Sequence, residues 1–186
     1  MWPLLFTVSL SLIHSLAAGH TDNFILVKHL ADEAHVQLDL TGKQSYAIYE
    51  QHYRKNLFQM SLPYNYHMRL INGHVECENN STCDFVGYAF DIRKVHSEWS
   101  ALTGAKNLPV FRGEPWMYNR YYDRKLKNYV KLPQSNHYVW AGPTKDLTHQ
   151  QIHEIGEEWC RNYPTYNFFC NNCHHFVYDL YKEIKQ

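Results

Sequence analysis

The sequence lacks an excess of charge of either sign. Lys and Arg number 18, as do Asp and Glu, so the formal net charge of the 186-residue chain is zero. Nucleic acids and anionic membranes attract basic protein surfaces, so neither is expected as the main partner. The chain has no internal repeat or low-complexity tract, and it is too short for two ordinary domains. Because 16% of its residues are aromatic, it can bury one core, which excludes a disordered chain.

Long hydrophobic runs are absent as well. The N-terminal apolar stretch, residues 4–13, is shorter than the about 20 residues that a membrane-spanning helix needs. Small residues follow it at Ser15, Ala17 and Gly19. Because this order is typical of a secretory signal peptide, we predict a signal peptide over residues 1–19 and a single secreted, extracellular domain over residues 20–186. A buried first helix or strand is the alternative.

Export to an oxidising compartment would let the cysteines form disulfide bonds. There are five of them, so full pairing leaves one thiol over. Proximity predicts one disulfide bond between Cys77 and Cys83 and another between Cys160 and Cys170, with Cys173 free. Sequence spacing does not fix this connectivity.

The segment between the first two cysteines carries two overlapping N-glycosylation patterns. They begin at Asn79 and Asn80. Such patterns are modified on exposed loops of secreted proteins. The segment is therefore predicted to be a surface loop of a glycoprotein.

Hydrophobic patterning predicts strands in the first part of the chain. Extended apolar runs place strands over residues 36–40, 66–71, 86–92 and 138–140, and from His74 onward. Asn72-Gly73, between two extended runs, predicts a hairpin turn. Residues 96–137 are interpreted as a long excursion with some helix and little pattern.

Two helices are predicted after these strands. Thr148 is a suitable N-cap for a helix that runs to about Asn162, with Ile152 and Trp159 at helical spacing. A second helix is predicted from near Asn172. Strands followed by helices indicate an α+β fold.

Cys173 is the residue that points to catalysis. It stands at the head of the last predicted helix, in Asn171-Asn172-Cys173-His174-His175-Phe176. A thiol in the first helical turn meets the positive end of the helix dipole and free N–H groups, which lower its pKa and favour the nucleophilic thiolate. The same N–H groups can stabilise an oxyanion. Because a thiolate nucleophile needs a general base, His67 in the predicted strand over 66–71 is the candidate.

The segment Asn172-Cys173-His174-His175-Phe176 resembles the Asn-Cys-x-His-Phe motif of circularly permuted papain-like thiol hydrolases. These include the PPPDE (DeSI-type) peptidases and, more distantly, lecithin:retinol acyltransferase-like proteins and the NlpC/P60 group. The similarity includes a Gly142-Pro143-Thr144 turn before the helix and the Tyr166-Asn167 pair before the nucleophile. Tyr66-His67-Met68-Arg69-Leu70 resembles the strand that carries the family's catalytic histidine.

The resemblance covers residues 64–92 and 138–182 and implies a circularly permuted papain-like (NlpC/P60-type) fold. Such a fold has an antiparallel sheet and a nucleophile cysteine at the start of a C-terminal helix. The resemblance implies that Cys173 is the nucleophile, that His67 is the base, and that Asn172 fixes the helix start and supports the oxyanion. It also implies that His175 is a structural histidine near the nucleophile.

A third catalytic group and the substrate are left open. His74 and Glu76 lie on the predicted returning strand, and Glu76 is the acid that we expect to orient the imidazolium. The best-known peptidases of the family are intracellular, whereas this chain is predicted to be secreted, and residues 93–137 have no counterpart. We therefore expect a cysteine hydrolase of peptide, isopeptide or cell-wall amide bonds, or secondarily of a lipid ester, acting through a thioacyl intermediate.

The same residues fit other classes of protein. Cys170, Cys173 and His174 satisfy the C-x-x-C-H pattern of covalently attached c-type haem. Attachment would leave the other three cysteines without a full set of partners, and the motif lies late in a strand-rich chain. A thioredoxin-like C-x-x-C would need most of its domain after it. If Cys173 were in a disulfide bond, the protein would be an inactive secreted binding or effector-like protein on the same fold.

Metal and nucleic-acid sites are weaker interpretations. His149 and His153 are spaced as zinc ligands can be on a helix, but no third ligand is evident, so we expect a solvated helix face. Neither a metal nor another cofactor is expected. Basic residues and tyrosines alternate over residues 120–131, as in surfaces that stack bases and bind phosphates. We interpret this stretch as a solvated loop and as the first candidate for a partner or substrate surface.

Overall fold

The described part of the chain has an α+β architecture. The computed structural model describes residues 21–53, 66–78, 82–94, 109–123, 127–131, 136–166 and 171–186. Its helices are α1 (Asp22–Glu33), α2 (His149–Asn162) and α3 (Cys173–Ile184). Its strands are β1 (Ser45–Tyr53), β2 (Tyr66–Glu78), β3 (Thr82–Lys94), β4 (Pro109–Pro115), β5 (Arg120–Asp123), β6 (Asn128–Lys131) and β7 (His137–Thr144).

Five strands form one antiparallel sheet in the order β4-β3-β2-β1-β7, and β5 and β6 form a separate hairpin. Because side chains alternate between the two faces of a strand, each face of the sheet builds its own apolar cluster. One cluster joins α1 to Ile48, Ile71 and Phe85. The other joins α2 and α3 to Met68, Leu70 and Phe90. The sheet is therefore covered on both faces.

Local capping residues set the starts of α2 and α3, as predicted. Thr148 and Gln151 form a reciprocal capping box at the start of α2. Asn172 caps α3, because its side-chain oxygen accepts hydrogen bonds from the backbone N–H groups of His174 and His175. The end of α3 is held to β7, since the Lys145 N–H donates to the Ile184 carbonyl oxygen at 2.8 Å. Cys173 is thus fixed as the first residue of an anchored helix.

The first part of the chain differs from the prediction. The apolar residues from Phe24 onward belong to helix α1, capped by Thr21, and residues 36–40, predicted as a strand, form no strand. The buried residues of α1 include Phe24, Val27 and Leu30, which share one helix face. The short alternation over 36–40 was too brief to distinguish a strand from a loop that packs its apolar side chains.

The predicted turn at Asn72-Gly73 is also wrong. β2 runs without interruption from Tyr66 to Glu78, and Gly73 lies directly opposite Gly87 of β3. A Cβ atom added at Gly73 would lie 2.3 Å from the carbonyl oxygen of Val86. Glycine is therefore required here for close approach of two backbones rather than for a turn.

The region interpreted as an irregular excursion with some helix contains strands instead, and its described residues include no helix. β4 lies at one edge of the main sheet, and β5 and β6 form the hairpin. The predicted signal peptide over residues 1–19, the glycosylation candidates Asn79 and Asn80, and Cys170 lie outside the described residues. Among the helices described, none has the length and apolar character needed to cross a membrane.

Candidate functional site

Four charged residues of alternating sign cross the sheet in one row. Glu50 of β1 is paired with Arg69 of β2, and Asp91 of β3 is paired with Arg112 of β4. The β2–β3 pairing ends at Leu70 and Phe90, so Arg69 and Asp91 stand one position beyond its last pair. Glu50, Arg69 and Asp91 are buried. Buried charges are tolerated when each finds a partner, and the alternating order provides one.

The Asp91 carboxylate is held between a histidine and an arginine. His67 donates from Nε2 to Asp91 Oδ2 over 2.6 Å. Arg112 donates from Nε to Oδ1 at 2.8 Å and from Nη2 to Oδ2. This two-pronged contact fixes the plane of the carboxylate. Asp91 thereby orients the imidazole of His67.

Cys173 meets His67 at the place where β2 and β3 separate. α3 packs on the Met68 and Leu70 face of the sheet, whereas His67 belongs to the opposite alternation. Beyond the last β2–β3 pair the sheet is open, and the Cys173 thiol hydrogen-bonds both the His67 side chain and the Met68 backbone N–H. Because Nε2 of His67 is engaged by Asp91, Nδ1 is the ring nitrogen left for Cys173. The three side chains form a thiol–imidazole–carboxylate triad.

The electrostatics favour a thiolate–imidazolium pair. Burial raises the pKa of Cys173. The hydrogen bond and charge of His67 and the N–H of Met68 lower this pKa by more than burial raises it, so the net shift is downward. Burial lowers the pKa of His67, but its hydrogen bonds to Asp91 and Cys173 outweigh this and raise the pKa to about 9. Burial also raises the pKa of Asp91, and the contacts with His67 and Arg112 overcome it and hold the pKa below its usual range. A lowered thiol pKa beside a raised histidine pKa favours the charged forms of both groups.

Two hydrogen-bond donors lie beside the sulfur. The Tyr166 hydroxyl hydrogen-bonds the Cys173 side chain. The side-chain oxygen of Asn172 accepts hydrogen bonds from the N–H groups of His174 and His175, and the N–H of Cys173 lies at the same helix start. Such donors can stabilise negative charge on a carbonyl oxygen that the sulfur attacks.

The two histidines after Cys173 support the helix start. His175, predicted to be a structural histidine near the nucleophile, donates from Nδ1 to the Asn172 side-chain oxygen at 3.0 Å. His174 donates from Nε2 to the carbonyl oxygen of Tyr66 at 2.8 Å. The ring centroids of His174 and Tyr66 lie 4.4 Å apart. Burial lowers the pKa of His174, which favours the neutral ring. This contact joins α3 to the beginning of the strand that carries His67.

Glu50 is the centre of a second buried network beside the triad. It accepts hydrogen bonds from Arg69 Nε at 2.6 Å, Asn136 Nδ2 at 2.7 Å and the Tyr138 hydroxyl at 2.9 Å. Nε2 of His52 lies 3.3 Å from Oε2 of Glu50, the oxygen that also accepts from Arg69. Burial raises the pKa of Glu50, but the Arg69 charge and the His52 contact outweigh it and lower the pKa to about 2. Arg69 is therefore compensated and remains beside Asp91.

The predicted acid, Glu76, is not part of this site. It is exposed and lies near the far end of β2, where His74 contacts it at 3.0 Å. Asp91 occupies the orienting position instead, and the sequence prediction missed it because it assumed a turn at Asn72-Gly73. A signal was present, since a carboxylate between Phe90 and Ile92 in an apolar strand is stable only when paired.

The cysteines are only partly as predicted. Cys77 and Cys83 form a disulfide bond, and Cys173 is a free, buried thiol. Cys160 is also a free thiol, in contrast to its predicted bond with Cys170, which lies outside the described residues. Burial raises the pKa of Cys160 to about 11, which favours the unreactive thiol form. The two free cysteines therefore differ in the direction of their pKa shifts.

The predicted solvated face of α2 is packed. The ring centroid of His149 lies 4.0 Å from that of Tyr88, and that of His153 lies 4.7 Å from Phe111. These histidines thus cover sheet aromatics. In the described ranges, no cluster of three or more His, Cys, Asp or Glu side chains is placed to hold a metal ion.

Comparisons of the chain with protein-family models, with curated proteins and with solved structures find no match. The relationship suggested by the motif around Cys173 therefore remains a prediction. What the structure gives is an α+β protein with a five-stranded antiparallel sheet and a helix that begins at a free cysteine.

Proposed function

We propose that the protein is a secreted cysteine hydrolase of the circularly permuted papain-like class, acting on amide bonds of peptides or isopeptides and secondarily on esters. One observation carries the proposal: the free thiol of Cys173, at a helix start, contacts a histidine that is itself bound to a buried carboxylate. A lowered thiol pKa beside an oriented imidazole is the arrangement that covalent acyl transfer requires.

The first step is acylation of the sulfur. The Cys173 thiolate attacks the substrate carbonyl carbon, and the N–H of Cys173 and the Tyr166 hydroxyl stabilise the resulting oxyanion. The C–N bond breaks as the His67 imidazolium gives its proton to the leaving amine. The products are a thioester on Cys173 and a free amine.

The second step releases the acyl group. His67, now neutral, takes a proton from water, and the oxygen attacks the thioester carbonyl. The C–S bond breaks, the carboxylic acid leaves, and the thiolate–imidazolium pair is restored. Asp91 keeps its negative charge throughout and orients the ring, as the acid of a triad does.

An activated ester tests the chemistry without knowledge of the natural substrate. We expect p-nitrophenyl acetate to acetylate Cys173 in the intact protein, as located by peptide mass mapping. Acetylation at this position should be absent in Cys173→Ala and much slower in His67→Ala. Cys160→Ala, the matched control at the other free thiol, should be acetylated at Cys173 as fast as the wild type. A folded wild-type protein that is not acetylated at Cys173 would instead be a binding protein on this fold.

A further inference from the structure

A second row, of two histidines and one arginine, lies on the outer side of the charged row. His52 of β1 is directly paired with His67 of β2, and their ring centroids lie 6.1 Å apart. Arg93 lies two residues after Asp91 on β3 and therefore shares its face of the sheet. The side chains of His52 and His67 are 22% and 18% exposed, and that of Arg93 is 60% exposed. The open side of the triad is thus lined by potential cations.

The guanidinium of Arg93 has hydrogen-bonding capacity to spare. Its one ion-pair contact, among the described residues, joins Nε to Asp91 Oδ2 at 3.7 Å, which is longer than a hydrogen bond. That oxygen already accepts from His67 and Arg112. The Asp91 carboxylate therefore holds Arg93 close to the triad without using its donors.

The other two arginines of the cluster are already committed. Arg69 is bound to Glu50, and Arg112 is bound to Asp91, with Glu114 3.7 Å from its other terminal nitrogen. Both are largely buried, whereas Arg93 is exposed. The planar fork of a guanidinium matches the two oxygens of a carboxylate. Of the three, only Arg93 is placed to offer this fork to a ligand.

We propose that Arg93 binds a carboxylate that the substrate carries close to its scissile bond, so that the enzyme selects acidic acyl substrates. The inference rests on the proposed function, because it assigns a specificity residue to that site. The carboxylate comes either from an Asp or Glu side chain or from a free chain terminus. A guanidinium contacts both sources in the same way.

Two alkylating reagents that differ mainly in charge test this inference. Iodoacetate carries the carboxylate, and iodoacetamide is its neutral counterpart. Both react by displacement of iodide by the Cys173 thiolate, so the ratio of their rate constants reports binding of the anion near the sulfur. We expect Arg93→Gln to lower the iodoacetate-to-iodoacetamide ratio about tenfold or more, since hydrogen bonds to charged groups are stronger than hydrogen bonds between neutral groups.

Two further variants serve as controls. Arg161→Gln, an exposed arginine of α2 with a 3.9 Å contact to Glu157, should leave the ratio unchanged. Arg93→Lys retains the charge without the fork and should give an intermediate ratio. If Arg93→Gln and Arg161→Gln have the same ratio as the wild type, Arg93 does not bind carboxylates.

Peptide substrates identify the source of the carboxylate. Peptides are compared in pairs, with Asp or Glu replaced by Asn or Gln in one pair, and with a C-terminal carboxylate replaced by an amide in the other. The source is identified by the pair whose ratio of kcat/KM values differs between the wild type and Arg93→Gln. If neither pair shows a difference between these two proteins, the inference is overturned. Failure of the proposed function has a different result, because p-nitrophenyl acetate would then not acetylate Cys173, whatever the ratio of the two alkylation rates.

Discussion

Asp91 shows at the scale of a single residue how the site is organised. Its Oδ2 accepts hydrogen bonds from His67 and Arg112, and its Oδ1 accepts one from Arg112. The arginine fixes the carboxylate, and the carboxylate fixes the imidazole. The charge of Asp91 therefore acts on Cys173 through His67, which makes Asp91 a positioning residue.

Asp91→Asn should retain the size of the side chain but remove its charge. We expect the rate of Cys173 acetylation to fall about 10²–10⁴-fold, because the imidazolium loses its partner and its preferred tautomer. The measurement is the rate of acetylation by p-nitrophenyl acetate across pH. Glu76→Gln is the matched control and should change nothing, since Glu76 contacts only His74 among the described residues. Equal losses in both variants would show that Asp91 has no special role.

The pH dependence of acylation follows from the two shifted pKa values. The rate should rise as Cys173 ionises, at a pH below that of an ordinary thiol, because its pKa is lowered. It should fall again near pH 9, where His67 loses the proton that the leaving group needs. Amide hydrolysis measured between about pH 4 and 10 checks both limbs, since ordinary thiols ionise near pH 8.5. A single rise at the pH of an ordinary thiol, with no fall, would contradict the ion pair.

At the scale of the elements, the charged row joins four neighbouring strands through alternating contacts. No strand of the row supplies both members of a pair, so the position of Asp91 depends on the register of β2, β3 and β4 together. Buried ion pairs of this kind give weak net stabilisation, but the loss of one member leaves an uncompensated charge. The row is therefore a sensitive point of the sheet.

Glu50→Gln should lower the free energy of unfolding by about 3–5 kcal/mol, because it leaves Arg69 buried without its partner. Urea unfolding at pH 7 measures the loss, and the double variant with Arg69→Met should recover part of it. The wild type should lose stability as the pH falls from the ordinary pKa of glutamate toward about 2, because the folded-state pKa is lowered. The same acid-dependent loss in Glu50→Gln would show that another group causes it.

An element could be predicted from the sequence when the residues that determine it lie within it or next to it. The starts of α2 and α3 were predicted because Thr148 and Asn172 cap their own helices. Asp91 was missed because the assumed turn at Asn72-Gly73 broke β2 and hid its pairing with β3, on which the contact between His67 and Asp91 depends. Gly73 was misinterpreted because a glycine required by a neighbouring backbone looks the same in sequence as a glycine required by a turn.

Gly73→Ala tests this explanation. The new methyl group would lie within 3 Å of the Val86 carbonyl oxygen and the Gly87 backbone, so the strands must separate. We expect a loss of about 1–3 kcal/mol in the free energy of unfolding, as overpacking usually costs. Val86→Ala, which trims a partly exposed side chain at the same place, should cost less. Equal losses in the two variants would contradict a requirement for glycine at position 73.

At the scale of the whole molecule, the cysteines that the structure describes divide into one disulfide bond and two free thiols. In the mature, non-reduced protein we expect iodoacetamide to alkylate Cys173 rapidly and Cys160 slowly, with Cys77 and Cys83 recovered as a linked pair. Peptide mass mapping after brief alkylation checks all four. A disulfide bond at Cys173 would contradict the thiol assignment, and a haem-sized mass on the Cys170–Cys173 peptide would indicate a cytochrome.

The chain order of the triad has a consequence for its synthesis. The ribosome makes β2 and β3, and with them His67 and Asp91, well before it reaches Cys173 and α3. Because domains form progressively as the chain emerges, a nascent chain can hold the imidazole–carboxylate pair while it still has no nucleophile. On the proposed mechanism, hydrolytic capacity would then arise in one late event, the docking of α3 beside the opening between β2 and β3, and incomplete chains would be inert.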